Sequence, residues 1–150
     1  MSKPLAYLIS WTTYGAWLPG DSRGWVKDDT PGVQAPDSVR WHDASERLKH
    51  PPVKLDVSQR SIVEQTIREH CEIRHWHLHA VNARTNHVHV VVTAEREPEN
   101  VMDQFKAWCS RRLNERAQNS QRWWTKHGST KWINDEEYLN NAITYVLEKQ

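Results

Sequence analysis

The stretch from Asn86 to Val92 constrains the fold of this chain most strongly, because it reads Asn-His-Val-His-Val-Val-Val. β-Branched residues dominate it, and such residues favour strands. Alternate side chains of a strand point to the same face, so His87 and His89 are expected side by side. The opposite face then receives Val88, Val90 and Val92. One face of this strand can bind a metal ion while the other builds a core, and the unbroken valine run is typical of a central strand buried on both faces.

Length and composition indicate one globular domain over residues 1–150. The net charge of +1 gives no argument for nucleic-acid binding by the protein as a whole. Cys71 and Cys109 are the only cysteines, and each falls within a predicted helix. The sequence shows no secretory signal and no long apolar run, so we expect a reduced, cytoplasmic protein that is not inserted in a membrane.

Hydrophobic periodicity and turn residues divide the chain into elements. After a first strand, Gly, Pro, Asp and Ser interrupt the pattern and predict a long irregular insertion at about residues 15–55. Asp56, with Gln59 three residues later, can cap the helix that follows. The predicted elements are a strand over 5–13, a helix over 57–73, a hairpin over 76–92, a helix from Pro98 to about 116, a short strand over 130–133, and a last helix capped by Asn134.

The first six of these elements follow the order βαββαβ, which folds into an antiparallel sheet with two helices on one face. We therefore predict an α+β, ferredoxin-like fold, which RNA-recognition modules also adopt, with an additional C-terminal helix. Such modules stack bases on their open sheet face. A non-catalytic single-stranded nucleic-acid binder is therefore a competing interpretation, although this chain has His87, His89 and Val91 where that module needs aromatic residues.

A second histidine series precedes the first, because His75, His77 and His79 also alternate. Spacing alone does not separate this series from His87 and His89. We interpret His75 and His77 as hydrated or hydrogen-bonded histidines. A third and weaker interpretation is a structural zinc site made of Cys71, His75 and His77.

Positive charge is concentrated in residues 105–131, which contain seven basic residues and one acidic residue. Such a stretch either binds a nucleic-acid backbone or forms a solvated helix face, and charge alone does not decide between them. The candidate DNA-binding residues are Lys106, Arg111, Arg112, Arg122 and Lys131.

The last helix presents two tyrosines beside its apolar side. Its predicted buried residues are Leu139, Ala142, Ile143, Val146 and Leu147. At 100° per residue, Tyr138 and Tyr145 take similar angular positions at the edge of this stripe. Either hydroxyl can therefore emerge near the histidines, and the helical wheel does not choose between them.

A His-hydrophobic-His strand followed by a tyrosine on the C-terminal helix resembles the single-tyrosine HUH transposases, which include small insertion-sequence enzymes and REP-associated relatives. The matching segments are residues 12–20, 86–89, 105–108, 111–114 and 145–150. The resemblance implies a transposase-like endonuclease and strand transferase that cleaves single-stranded DNA with Tyr145 and leaves a covalent 5′-phosphotyrosine. It also implies Mg²⁺ or Mn²⁺ held by His87 and His89, hairpin-forming DNA palindromes, and a monomer or homodimer.

The third metal ligand departs from the pattern of this family. Relatives place a Gln or Asn four residues after the tyrosine, where this chain has Lys149. Gln150 is the first candidate and Glu148 the alternative. Position within the family also favours Tyr145 over Tyr138 as the nucleophile.

Overall fold

The computed structural model describes residues 3–16, 25–27, 30–48 and 51–148. Within these ranges the elements are, in order, β1 (Ala6–Thr13), β2 (Trp25–Lys27), β3 (Thr30–Gln34), α1 (Ser38–Glu46), α2 (Val57–Arg74), β4 (His77–Ala83), β5 (His87–Thr93), α3 (Pro98–Ala117), β6 (Trp124–Ile133) and α4 (Glu136–Glu148). The main sheet is antiparallel with the order β4-β5-β1-β6, and β2 pairs with β3 separately. The predicted α+β fold with an added C-terminal helix is confirmed.

Helix α2 begins and ends through local hydrogen bonds. The Asp56 carboxylate accepts from the Gln59 backbone N–H at 2.8 Å, and the Gln59 side-chain oxygen accepts from the Asp56 N–H at 2.9 Å. The helix ends at His75, which adopts a left-handed conformation with φ 60°. This reciprocal cap fixes the start of the helix close to the predicted position.

The main core lies between the sheet and helices α2 and α3. It includes Val88, Val90 and Val92, which are fully buried as the alternation in β5 predicts. Trp11 of β1 contributes from the neighbouring strand, and its ring lies 6.3 Å from that of Phe105 in α3. The opposite sheet face therefore carries His87 and His89.

Helix α4 covers part of that opposite face. A smaller apolar cluster joins it to the sheet through Ala6, Ala80, Val91, Ile133, Ala142 and Val146. Val90 and Val92 are buried in the main core, and Val91 is buried in this smaller cluster, so this part of β5 is covered on both sheet faces. Beyond this cluster, the polar residues Ser10, Thr12, His87 and His89 continue the same face.

In the last third of the chain, the structure differs from the prediction in three details. The last strand begins at Trp124 instead of residue 130, because β6 is an edge strand whose many exposed polar residues conceal its periodicity. The cap of α4 is Asp135, which accepts from the Tyr138 N–H at 2.7 Å, and not Asn134. Leu147 is 56% exposed and does not join the buried side of α4.

The segment predicted as a long irregular insertion contains regular structure among its described residues, namely β2, β3 and α1. Its two ends are tied to the body of the protein. The Val53 N–H donates to the Tyr14 carbonyl at 2.8 Å, and the Tyr14 N–H donates to the Trp123 carbonyl at 2.8 Å. Gly15 completes this junction at φ +79°, where an added Cβ would lie 2.9 Å from Pro52 Cα. No helix in the described part of the chain has the length and apolarity of a membrane span.

Candidate active site

The two histidines of β5 lie together, as the alternation of the strand predicts. The ring centroids of His87 and His89 are 4.8 Å apart, and both side chains are half-buried. Directly paired residues of an antiparallel ladder share a face, so Thr12 and Ser10 of β1 lie beside His87 and His89 respectively. The pair is thus set in a polar part of the sheet.

A polar neighbour holds the Nδ1 atom of each histidine. His87 Nδ1 lies 2.7 Å from Asn86 Oδ1, and His89 Nδ1 lies 2.5 Å from Ser10 Oγ. An amide oxygen only accepts hydrogen bonds, so His87 Nδ1 carries the proton and the lone pair is on Nε2. Such outer partners fix the tautomer and the orientation of a metal-binding histidine.

The electrostatic environment keeps His89 neutral. Burial, and next the positive charge that His87 can carry, lower the pKa of His89 to about 4. A metal ion binds the neutral imidazole, so this residue is ready to act as a ligand at neutral pH. The residues present therefore fit a divalent ion on the Nε2 side of the two rings.

Tyr145 contacts one member of the histidine pair, His89. Its ring meets that of His89 edge to face, with the centroids 5.6 Å apart, and the residue is 44% exposed. Tyr138, in contrast, packs against the apolar cluster beneath α4. The helical wheel gives the two tyrosines similar positions, but in the structure only Tyr145, of these two, lies beside His89.

Asn82 of β4 connects the sheet to the end of α4, and sequence reasoning missed it. Its side-chain amide donates to the Val146 carbonyl at 2.9 Å. Asn82 is also the cross-strand partner of His89. One polar residue therefore links the histidine strand to the residue that follows Tyr145. Neither Asn82 nor Ser10 belongs to a spacing motif, and only the strand register reveals them.

The described residues place neither predicted third ligand beside the two histidines. Gln150 lies outside the described residues. Glu148 is exposed at the end of α4, and the described residues contain no group of three His, Cys, Asp or Glu side chains placed to hold a metal ion. The structure therefore brings together His87, His89 and Tyr145, and it does not add Glu148 to them.

Comparison with known proteins identifies the family. The sequence model of IS200-like transposases matches residues 50–142, which is more than half of the chain. The chain belongs to the IS200-like transposase family. No protein of curated function is similar enough in sequence to match it.

Two solved structures match this chain in a comparison of folds. One is a REP-associated tyrosine transposase bound to a REP hairpin, with a TM-score of 0.55 and 10% identity, covering 97% of this chain and 66% of that one. The other is a candidate transposase from Deinococcus radiodurans R1, with a TM-score of 0.49 and 13% identity, covering 100% and 93%. The chain thus spans somewhat less than two thirds of the first structure.

The second histidine series of this IS200-like transposase has a different environment. The rings of His77 and His79 stack with centroids 4.2 Å apart, and His79 Nε2 lies 2.8 Å from Thr93 Oγ1. Cys71 is buried, and burial raises the pKa of its thiol to about 12. The structure does not assemble the predicted Cys71, His75 and His77 site among its described residues.

On α3, the predicted DNA-binding residues already have protein partners. Lys106 Nζ donates to the Thr125 and Lys126 carbonyls at 2.8 and 3.3 Å. Arg112 forms an ion pair with Glu69 of α2 at 3.0 Å. The guanidinium of Arg111 lies 4.7 Å from the centre of the Trp108 ring. Because α3 packs on the sheet face opposite the histidines, Arg112 points toward α2 and away from them.

The two remaining basic candidates lie in or beside β6. Arg122 Nε donates to the Trp124 carbonyl at 3.2 Å, and its guanidinium lies 5.2 Å from the centre of the Tyr14 ring. Lys131 pairs with Leu8 across β1 and β6, so it shares the sheet face of the histidines. The basic stretch is therefore divided between two sides of the sheet.

Proposed function

We propose that this chain is a metal-dependent single-stranded DNA endonuclease and strand transferase in which Tyr145 is the nucleophile. Family membership supports a transposase-like, DNA-processing function. The catalytic part of the proposal rests on one observation, the edge-to-face contact of Tyr145 with His89 at 5.6 Å between ring centroids. This contact brings a partly exposed phenol to a pair of imidazoles on the same sheet face.

The proposed reaction is a transesterification at phosphorus. The Tyr145 oxygen forms a bond to the phosphorus while the bond from phosphorus to the 3′ oxygen breaks. The 3′ oxygen leaves with the bonding electron pair and takes a proton from water, and the phenol proton passes to water. The product is a 5′-phosphotyrosine diester similar in energy to the DNA link it replaces, so a 3′-hydroxyl can attack it and rejoin the strand.

His87 and His89 would hold Mg²⁺ or Mn²⁺ together with Gln150, and Glu148 is the alternative third ligand. When bound, the ion would neutralise the charge that develops on the phosphate oxygens. Ser10 and Asn86 orient the two imidazoles through their Nδ1 atoms. A neutral phenol is a weak nucleophile, and the bound ion would stabilise the negative charge that develops on the attacking oxygen of Tyr145.

The proposed substrate is single-stranded DNA that carries hairpin-forming palindromes. The structural neighbour bound to a REP hairpin supports this choice. The basic stretch from Lys106 to Lys131, which includes Arg111, Arg112 and Arg122, would bind the DNA backbone. The protein would act as a monomer or a homodimer.

A covalent-adduct assay tests the proposal. The protein is incubated with Mn²⁺ and a 3′-labelled single strand that contains a palindrome from the DNA flanking its gene, then separated in SDS. We expect the wild type to retain labelled DNA, Tyr145→Phe to lose it, and Tyr138→Phe to retain it as the matched control.

If Tyr138→Phe lost the labelled DNA and Tyr145→Phe retained it, Tyr138 would be the nucleophile. DNA binding without an adduct in any variant would replace the proposal with the non-catalytic single-strand binder.

A further inference from the structure

We propose that a basic depression where α3 meets β6 binds the backbone of the single-stranded DNA next to the Tyr145 site. This inference rests on the proposed function and specifies where the strand lies. The depression has a volume of about 290 Å³. Its polar lining residues are Lys106, Ser110, Gln121, Arg122, Thr125 and Lys126.

The charge of this basic depression suits a phosphate. Three of its lining residues are cationic, and none of those in the described part of the chain is acidic. Hydroxyl, amide and backbone groups add hydrogen-bonding capacity beside the cations. A concave site with one sign of charge attracts an anion more strongly than the same charges on a flat surface.

Lys106 is held in place at the wall of the depression. Its ammonium group has three N–H donors, and the carbonyls of Thr125 and Lys126 accept from it. Burial lowers the pKa of Lys106, Asp103 opposes this shift, and the positive charge of Arg122 adds to it. The two cations are therefore close enough to repel each other, and an anion between them would relieve that repulsion.

A direct structural link joins the depression to the histidines. Thr125, which lines the depression, lies with its Oγ1 atom 2.7 Å from Thr12 Oγ1. Thr12 is in turn the cross-strand partner of His87. Since neighbouring strands lie ~4.8 Å apart, the depression begins roughly 10 Å from His87. A strand whose phosphate reaches the histidines can therefore continue over Thr12 and Thr125 into the depression.

Matched controls exist outside the basic stretch. Arg68 pairs with Glu64 at 3.7 Å, and Arg96 pairs with Glu95 at 3.8 Å, and both arginines are exposed. Removing these two arginines changes the net charge as much as removing Arg122 and Lys126. Exposed ion pairs contribute only ~0–1 kcal/mol, so the control should fold.

The test measures binding of a fluorescent 20-nucleotide thymidine strand by anisotropy over a range of salt concentrations. Each phosphate contact contributes about 0.7 to the slope of log affinity against log salt for a single strand. We expect Arg122→Gln with Lys126→Gln to lower the slope by ~1.4 and to weaken binding more than about tenfold at low salt. Arg68→Gln with Arg96→Gln should leave the slope nearly unchanged.

An equal loss of slope in both double variants, or no binding by the wild type, would overturn the inference. Lys126→Gln alone provides a safeguard against misfolding, because Arg122 also packs on Tyr14. It should lower the slope by about 0.7, and an unchanged slope in this variant would contradict the proposal.

The adduct assay separates this inference from the proposed function. If Tyr145 is the nucleophile, the depression variants should need more DNA for half-maximal adduct yet reach the wild-type yield at saturation. If the depression variants lowered the salt slope but the wild type formed no adduct, the depression would stand as a DNA-binding site and the proposed catalysis would be rejected. If the wild type formed an adduct but the depression variants left the slope unchanged, the catalysis would stand and the depression would be rejected.

Discussion

The side-chain amide of Asn82 donates to the backbone carbonyl of Val146 at 2.9 Å and so joins a strand of the sheet to the last turns of α4. A side chain that donates to a carbonyl near the C-terminal end of a helix stabilises that end. Asn82 also faces His89 across the ladder. The bond therefore helps set the distance between the histidine strand and Tyr145.

We expect Asn82→Ala to destabilise the end of α4 by about 1 kcal/mol, because the hydrogen bond to the Val146 carbonyl is lost. Hydrogen exchange of the α4 amides should become faster and the adduct yield should fall, while affinity for single-stranded DNA stays the same. Asn141→Ala, at an exposed position of the same helix, is the control. Unchanged exchange in Asn82→Ala would show that the bond does not hold the helix.

The double variant His87→Ala with His89→Ala should lose Mn²⁺ binding and DNA cleavage while keeping the fold, because both side chains lie outside the main core. Electron paramagnetic resonance measures Mn²⁺ binding, and circular dichroism checks that the fold is kept. His77→Ala with His79→Ala should bind Mn²⁺ like the wild type. Full cleavage activity in His87→Ala with His89→Ala would reject the metal site. An equal loss of Mn²⁺ binding and cleavage in His77→Ala with His79→Ala would make that pair the candidate site again.

Ser10→Ala should weaken Mn²⁺ binding by roughly 10- to 100-fold, the usual effect of losing an outer partner of a histidine ligand. The cause is the loss of the 2.5 Å contact with His89 Nδ1, which selects Nε2 as the ligand atom. Calorimetric titration with Mn²⁺ measures it. Ser129→Ala, at the cross-strand neighbour of Ser10 on β6, is the matched control. Equal affinities in the two variants would contradict the role of Ser10.

The metal-free protein should lose stability as the pH falls from about 6.5 toward 4. His89 has a pKa of about 4 in the folded chain, because it is buried beside His87, against an ordinary value near 6.5. Between these values the unfolded chain binds a proton that the folded chain does not, so acid favours unfolding. We compare the free energy of unfolding in urea, with EDTA present, at pH 7 and at pH 4.5. It should decrease less between these two pH values for His89→Gln than for the wild type.

The control for this pH effect is His42→Gln on α1, which should keep the wild-type decrease. If His89→Gln showed the same decrease as well, the buried histidine would not be its source.

Local signals predicted much of the fold. The reciprocal cap of Asp56 and Gln59 located α2 to within a residue or two, and the valine alternation of β5 identified both of its faces. β6 escaped prediction over most of its length, because an edge strand with a solvated surface needs no regular apolar period. The helical wheel placed Leu147 on the buried side of α4, and a wheel does not show how far along the helix the packing on the sheet extends.

The candidate site was predicted only in part. Two histidines on one strand face follow from chain geometry alone, and the resemblance to a family selected Tyr145. Ser10 and Asn82 depend on which strands pair and in what register, and the spacing of residues along one strand does not contain that information. The same limit applies to the basic stretch, whose residues the packing of α3 distributes over two sides of the sheet.

The position of β5 between two other strands also affects the entropy of metal binding. Its backbone is hydrogen-bonded on both sides, so the relative placement of His87 and His89 is established when the sheet folds. The loss of conformational freedom for these two ligands therefore belongs to the folding equilibrium and not to the binding equilibrium.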